Sequence, residues 1–146
     1  MNILPRKEIP DDILKDSVLA HLAAAYFSVG KRMERKTRCS ATRGFILSTL
    51  RGGTTLNQNQ IATLLGFDRT VVHRAIKSLA QEGLVSEHRA KSGRAIRVQL
   101  TAKGRKYRAR LIEARETADE NVRRQMTSEE RETLLRLLKL VAESDF

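Results

Sequence analysis

The stretch Asp68–Gly83, DRTVVHRAIKSLAQEG, decides how the rest of the chain is read. Val72, Ile76 and Leu79 recur at helical spacing with Ala75 beside them, while Arg69, Thr70, His73, Arg74 and Lys77 fall on the other side. A helical period therefore gives two faces, one apolar and one carrying a row of hydrogen-bond donors. Asp68 suits the N-cap, because its short side chain can accept from the free amides of the first turn. Gly83 suits the exit, where the chain needs a left-handed residue.

The flanks explain what such a helix packs against. Upstream, TTLNQNQIATLLGF (54–67) places Asn57 three residues before Gln60, a capping-box spacing in which each side chain satisfies an orphan amide. Ile61, Leu64 and Leu65 are its expected apolar face and Gly66 its exit. Downstream the period changes. LVSEHR (84–89) and IRVQLT (96–101) are short and β-prone, and Ile96, Val98 and Leu100 alternate with Arg97 and Gln99. AKSG (90–93) supplies the turn between them, so a two-stranded hairpin with a basic tip is expected. Two short helices joined by a glycine turn and followed by a hairpin make a winged helix-turn-helix.

Working further outward, Asp11 or Asp12 is the expected cap of a first helix, with Ile13, Leu14, Val18, Leu22 and Tyr26 at helical intervals and an end near Arg35. Ser40 opens a second helix, SATRGFILSTLRGG (40–53), with Phe45, Ile46 and Leu50 facing inward and Gly52-Gly53 ending it. Thr101 caps a long charged helix whose sparse apolar positions are Leu111, Ile112, Val122 and Met126. Thr127 or Ser128 caps the last helix, TSEERETLLRLLKLVAE (127–143), with Leu134, Leu135, Leu138 and Val141 as its stripe. The fold class is mainly α with a small β-hairpin wing.

Charge narrows the function. The formal charge of the 146 residues is +11, which points to a polyanionic partner. Residues 31–110 carry 19 Lys and Arg against 4 Asp and Glu, whereas residues 1–30 and 111–146 are slightly acidic. The basic charge thus lies where the winged motif lies. No apolar run approaches the length of a membrane span, the N-terminus has no apolar signal core, and a single cysteine, Cys39, allows no internal disulfide; a cytoplasmic protein is expected. His21, His73 and His88 are too scattered to make a zinc set with that cysteine, and RGGTTL (51–56) lacks the Lys-Ser/Thr of a phosphate loop. No metal, no cofactor and no enzyme activity are expected.

The run from Leu56 to Lys106 resembles the MarR family of bacterial transcriptional regulators. The matching text is LNQNQIATLLGFDRTVVHRAIKSLAQEGLV, a basic wing, and VQLTAKGRK, and the order of elements is similar over nearly the whole chain. The family's wing carries Asp-Arg-Arg at its tip; here Ser92 and Gly93 stand at the first two positions and only Arg94 matches, so the bracing salt bridge is missing. The resemblance implies a homodimer joined through the first helix and the last two. It also implies release from DNA by a ligand, often a small aromatic or phenolic anion. On that reading residues 1–39 and 105–146 form the dimerisation region and residues 40–104 the DNA-binding region. Val18, Leu22, Tyr26, Leu134, Leu138 and Val141 are the candidate dimer residues, since these stripes exceed what a small winged core needs to cover. Some members respond to oxidation, but through a cysteine near the start of the first helix. Cys39 lies late, among Lys36, Arg38 and Arg43, and no redox role is expected of it.

Within the motif, Arg69 and Thr70 occupy the N-terminal turn that points at base edges. Arg74 is the candidate for a bidentate guanine contact and Lys77 for phosphate, while His73 is open between a base edge, phosphate and solvent. Gln58 is placed where the preceding helix meets the DNA backbone. Arg89, Lys91 and Arg94 form the wing, suited to a narrow minor groove. The expected function is a repressor that binds a pseudo-palindromic operator in double-stranded DNA. A sequence-tolerant architectural nucleic-acid binder and a winged-helix protein adaptor are the alternatives.

Overall fold

A computed structural model describes residues 15–89, 93 and 95–145. The expected caps Asp11 and Asp12, and the wing residues Lys91 and Arg94, lie outside the described residues. The order is α1 (Val18–Thr37), α2 (Ala41–Thr49), β1 (Leu56–Asn57), α3 (Gln58–Leu65), α4 (Arg69–Gln81), β2 (Val85–Arg89), β3 (Ile96–Leu100), α5 (Ala102–Arg123) and α6 (Ser128–Ala142). This is the mainly helical winged helix-turn-helix that the periodicities imply.

Most helix starts follow the side-chain chemistry. Ser40, Asp68 and Thr101 each accept an amide of the turn they open. Asn57 and Thr127 form full capping boxes with Gln60 and Glu130. The first described helix differs. Its cap is Ser17, which accepts from the Ala20 amide, and it runs two residues past Arg35 to Thr37. Helix α2 stops at Thr49, before the glycine pair, and Gly52 and Gly53 instead shape the turn that follows.

The expected pair of wing strands forms, β2 against β3, and a third strand joins it. The sheet has three antiparallel strands in the order β1-β3-β2, with Leu56 opposite Val98 and Val85 opposite Leu100. β1 was not legible because it is only two residues long. It is also the run-in to α3, where Asn57 serves both as strand end and as helix cap.

The core gathers Ile46, Leu47, Leu50, Ile61, Val72, Ile76, Leu79, Leu84 and Val98, all essentially inaccessible. Ile46, Leu50, Ile61, Val72, Ile76 and Leu79 are inward as expected, and Phe45 is half-buried with its ring edge-on to Phe67. Leu64 is a correction: 64% of it is exposed. α3 is pinched between α2 and α4 and turns Ile61, Ala62 and Leu65 inward, which leaves Leu64 on its outer side.

α5 docks onto this core through a close backbone approach. Thr101 donates from its hydroxyl to the Gly83 carbonyl at 2.6 Å and from its amide to the Leu84 carbonyl at 3.1 Å. A Cβ at Gly104 would overlap that Leu84 carbonyl, so only glycine lets the first turn of α5 sit so close. Beyond that turn, Tyr107 and Leu111 pack on the core's edge. The boundary expected after residue 104 thus falls within the first turn of one continuous helix.

Candidate nucleic-acid interface

The face of α4 opposite its buried stripe carries Arg69, Thr70, His73, Arg74 and Lys77, all exposed. Asp68 sets the helix start, its carboxylate accepting from the Thr70 amide at 2.7 Å. That amide holds the Asp68 carboxyl below the usual carboxylate range, as expected for an acid at a helix N-terminus. At the other end Glu82 pairs with Arg43 of α2 at 2.8 Å and its carbonyl accepts from Lys103 of α5 at 2.7 Å. The helix therefore has a capped start, and its far end is tied to α2 and α5.

The basic charge of the middle region divides into two populations. Arg108 reaches back to the last carbonyls of α2, bonding Leu47 O from Nε at 3.1 Å and Ser48 O from Nη2 at 3.4 Å. Arg105 bonds the Leu100 carbonyl, and Arg43 and Lys103 brace Glu82. These cations hold the fold together and cap helix ends. Arg69, Arg74, Lys77 and Arg89 have no ion-pair partner among the described residues. Net charge alone overstates the interface, and geometry separates the cations that face solvent from those that brace helices.

Gln58 differs from a free backbone-contacting residue. Its amide nitrogen donates to Glu87 Oε1 at 3.2 Å, and its oxygen faces His73 Nδ1 at 3.1 Å. It thereby links α3, α4 and β2. Arg89 is exposed at the end of β2, paired across the sheet with Ile96.

Two further residues belong to this surface, Arg97 and Val71. Arg97 sits outward on β3, opposite His88, and reaches Thr55 Oγ1 at 3.4 Å. The alternation around Val98 already turned it outward. Val71 is an exposed aliphatic beside Thr70, off the inward stripe of Val72, Ile76 and Leu79, and that displacement was its signal. An aliphatic group among donors on such a face can contact a thymine methyl.

Cys39 lies away from this face and is buried. Burial pushes its thiol above the ordinary value despite the opposing influence of Arg43. The basic neighbours in sequence thus do not yield a thiolate. No three His, Cys, Asp or Glu side chains converge as a metal set among the described residues, and no described helix is long and apolar enough to cross a membrane.

Val18 and Tyr26 of α1 and Leu134 and Leu138 of α6 are exposed, whereas Leu22 and Val141 are half-buried. They lie away from the core of the winged unit, on helices with no fully buried residue.

The family model for bacterial regulatory proteins of the gntR family matches residues 45–98, from within α2 to within β3. That segment is the winged motif without its flanking helices. No curated protein matches the chain. Among solved structures, the transcriptional repressor CouR bound to a 23-mer DNA duplex is 24% identical with a TM-score of 0.81, covering 93% of this chain and 99% of its own. The PcaV transcriptional regulator from Streptomyces coelicolor, in complex with its natural ligand, is 18% identical with a TM-score of 0.77, covering 99% of each chain. A mutant of MarR from E. coli, complexed with operator DNA, is 18% identical with a TM-score of 0.74, covering 90% of this chain and 96% of its own. At these identities the likeness establishes the fold, and it extends through the terminal helices as well as the winged motif.

Proposed function

We propose that this chain is a homodimeric transcriptional regulator of the MarR type. It acts as a repressor on a pseudo-palindromic operator and is released by a small aromatic or phenolic anion. The observation that carries the DNA-binding reading is the two-faced α4, with Val72, Ile76 and Leu79 fully buried behind an exposed row from Arg69 to Lys77. Structural neighbours bound to DNA support the same reading. In it, Arg69, Thr70, His73 and Arg74 face base edges. Lys77 contacts phosphate, and Arg89, Lys91 and Arg94 follow the backbone or the minor groove.

The dimer reading rests on the leucines that α6 leaves uncovered, Leu134, Leu135, Leu137, Leu138 and Leu140, together with Val18 and Tyr26 of α1. Two copies joined there place two recognition helices about one turn of DNA apart, which is why the operator should be palindromic. For the anion, the cationic groups on offer are Lys31, Arg35 and Arg38, exposed beside Glu34 on one face at the end of α1. The ligand-bound regulator among the neighbours is consistent with such control.

Selection of bound duplexes from a random pool tests the reading, followed by salt titrations on the selected and random duplexes. Arg74→Ala should cost about 1–3 kcal/mol on the selected duplex and far less on random DNA. Equal losses on both would favour the sequence-tolerant architectural binder, and absence of binding the adaptor.

A further inference from the structure

Glu87 of β2, Gln58 at the start of α3 and His73 of α4 come from three elements and meet in one hydrogen-bonded chain. Its polarity follows from the chemistry of one end. A carboxylate only accepts, so the Gln58 atom 3.2 Å from Glu87 Oε1 has to be the amide nitrogen. The opposite end of that amide is then a carbonyl oxygen, which also only accepts. His73 Nδ1, 3.1 Å from it, must therefore carry the ring proton. A neutral imidazole protonated at Nδ1 leaves Nε2 as a bare acceptor. His88 on the same wing is held by a separate set, accepting at Nε2 from Gln99 at 2.8 Å and facing Ser86 Oγ at 2.9 Å, so it does not compete for this chain.

We propose that Glu87 and Gln58 are positioning residues that fix His73 as a hydrogen-bond acceptor on the DNA-reading face, making His73 a specificity-determining residue for bases that present an amino group in the major groove. In the major groove adenine N6 and cytosine N4 donate, whereas guanine O6 and thymine O4 accept. An acceptor at His73 therefore prefers adenine or cytosine over guanine or thymine on the contacted strand, because two facing acceptors would leave both unpaired. Glu87, one of only four acidic residues between Lys31 and Arg110, sets this preference without touching a base.

The proposal rests on the DNA-reading function above, and two measurements keep the failures apart. The first needs no DNA. Nitrogen NMR of the free protein at about pH 8 should show the His73 ring protonated at Nδ1, and Glu87→Gln should mix the tautomers, since a glutamine at 87 can accept or donate. The His73 signals are those lost in His73→Ala. The second repeats the duplex selection with wild type, His73→Ala and Glu87→Gln. Wild type should show one position per half-site with a roughly three- to tenfold preference for adenine or cytosine. Both variants should reduce it below about twofold while the other positions keep theirs.

A ring protonated at Nε2 in the wild type overturns the proposal whatever the DNA result. So does a His73-dependent preference for guanine or thymine, or an adenine or cytosine preference that survives Glu87→Gln. A selection without any consensus overturns the sequence-reading function and this proposal together, and the NMR result then stands only as a description of the free protein.

Discussion

The winged lobe and the terminal helices of this chain solve the problem of apolar surface in opposite ways. The buried apolar core runs from Cys39 to Val98, and α5 closes its edge with Tyr107 and Leu111. α1 and α6 bury no residue completely, and α6 has no extensive packing against any other described element. Yet α6 is about as apolar in sequence as α4. What differs is that the lobe's helices are short, turn sharply at Gly66 and Gly83, and so fold their stripes onto one another. α6 has no such packing against another described element, and a stripe on such an arm needs a surface from elsewhere.

If that surface is a second copy, removing the arm should have the largest effect of any change. Deletion of residues 127–146 should convert a dimer to monomer or aggregate in sedimentation velocity. Operator affinity should fall by a factor on the order of 10²–10⁴, the usual loss when two linked sites become one. A well-folded dimer after the deletion would break the contrast between the two regions, because the leucines of α6 would then have no covering role.

Point substitutions sharpen the same contrast. Ile76→Ala, in the closed core, should cost about 2–5 kcal/mol in denaturant unfolding of the lobe. Leu135→Ala, on a side chain 56% exposed, should leave the lobe unchanged and instead make the melting temperature depend more strongly on protein concentration. A concentration-independent loss at Leu135 would mean that its partner lies within the chain.

A smaller effect is expected where the two regions join. Gly104→Ala would push a methyl group into the Leu84 carbonyl, so α5 has to shift or lose its Thr101 contacts. A cost of about 1–3 kcal/mol is expected, as for other overpacked sites, and it should appear in both lobe stability and DNA binding. A neutral outcome would show that α5 is free to move relative to the wing.

The contrast also explains what could be read from the sequence alone. Caps and glycine exits were legible because they are local: Ser40, Asn57, Asp68, Thr101 and Thr127 each act within three residues of themselves. The stripe of α4 was legible because that helix has one buried side. Leu64 was misread because α3 touches two neighbours, and periodicity does not say which side of a wide apolar arc stays outside. β1 was hidden because two residues set no period, and its existence depends on Val98 and Arg97 some forty positions away. At the interface the donor row was legible from helical spacing. The Glu87–Gln58–His73 chain was not, since its members lie 15 and 29 residues from Gln58 and meet only when the wing folds back. The structural duties of Arg108 and Lys103 were hidden for the same reason.

The smallest expected effect is a titration at the start of the recognition helix. Asp68 accepts from the Thr70 amide, and its carboxyl is held below the ordinary carboxylate value of 3.8. A folded-state value below the unfolded one means that unfolding takes up protons in acid. The stabilisation from this cap is therefore complete above the unfolded value and fades as pH falls through the lower, folded one. Asp68→Asn keeps the cap oxygen and removes the titration. The difference in denaturant midpoint between the two proteins should be constant above about pH 5 and should shrink as pH falls below about 4. Glu130 is held low in the same way by the Thr127 amide, but in the capping box of α6. Glu130→Gln should leave the acid limb of lobe unfolding in place, because that cap belongs to the arm. If the Asp68 difference stays constant down to about pH 3, the charge on that cap contributes nothing to the fold. If Glu130→Gln moves the lobe's acid limb, the arm and the lobe unfold as one unit, and the division between them fails.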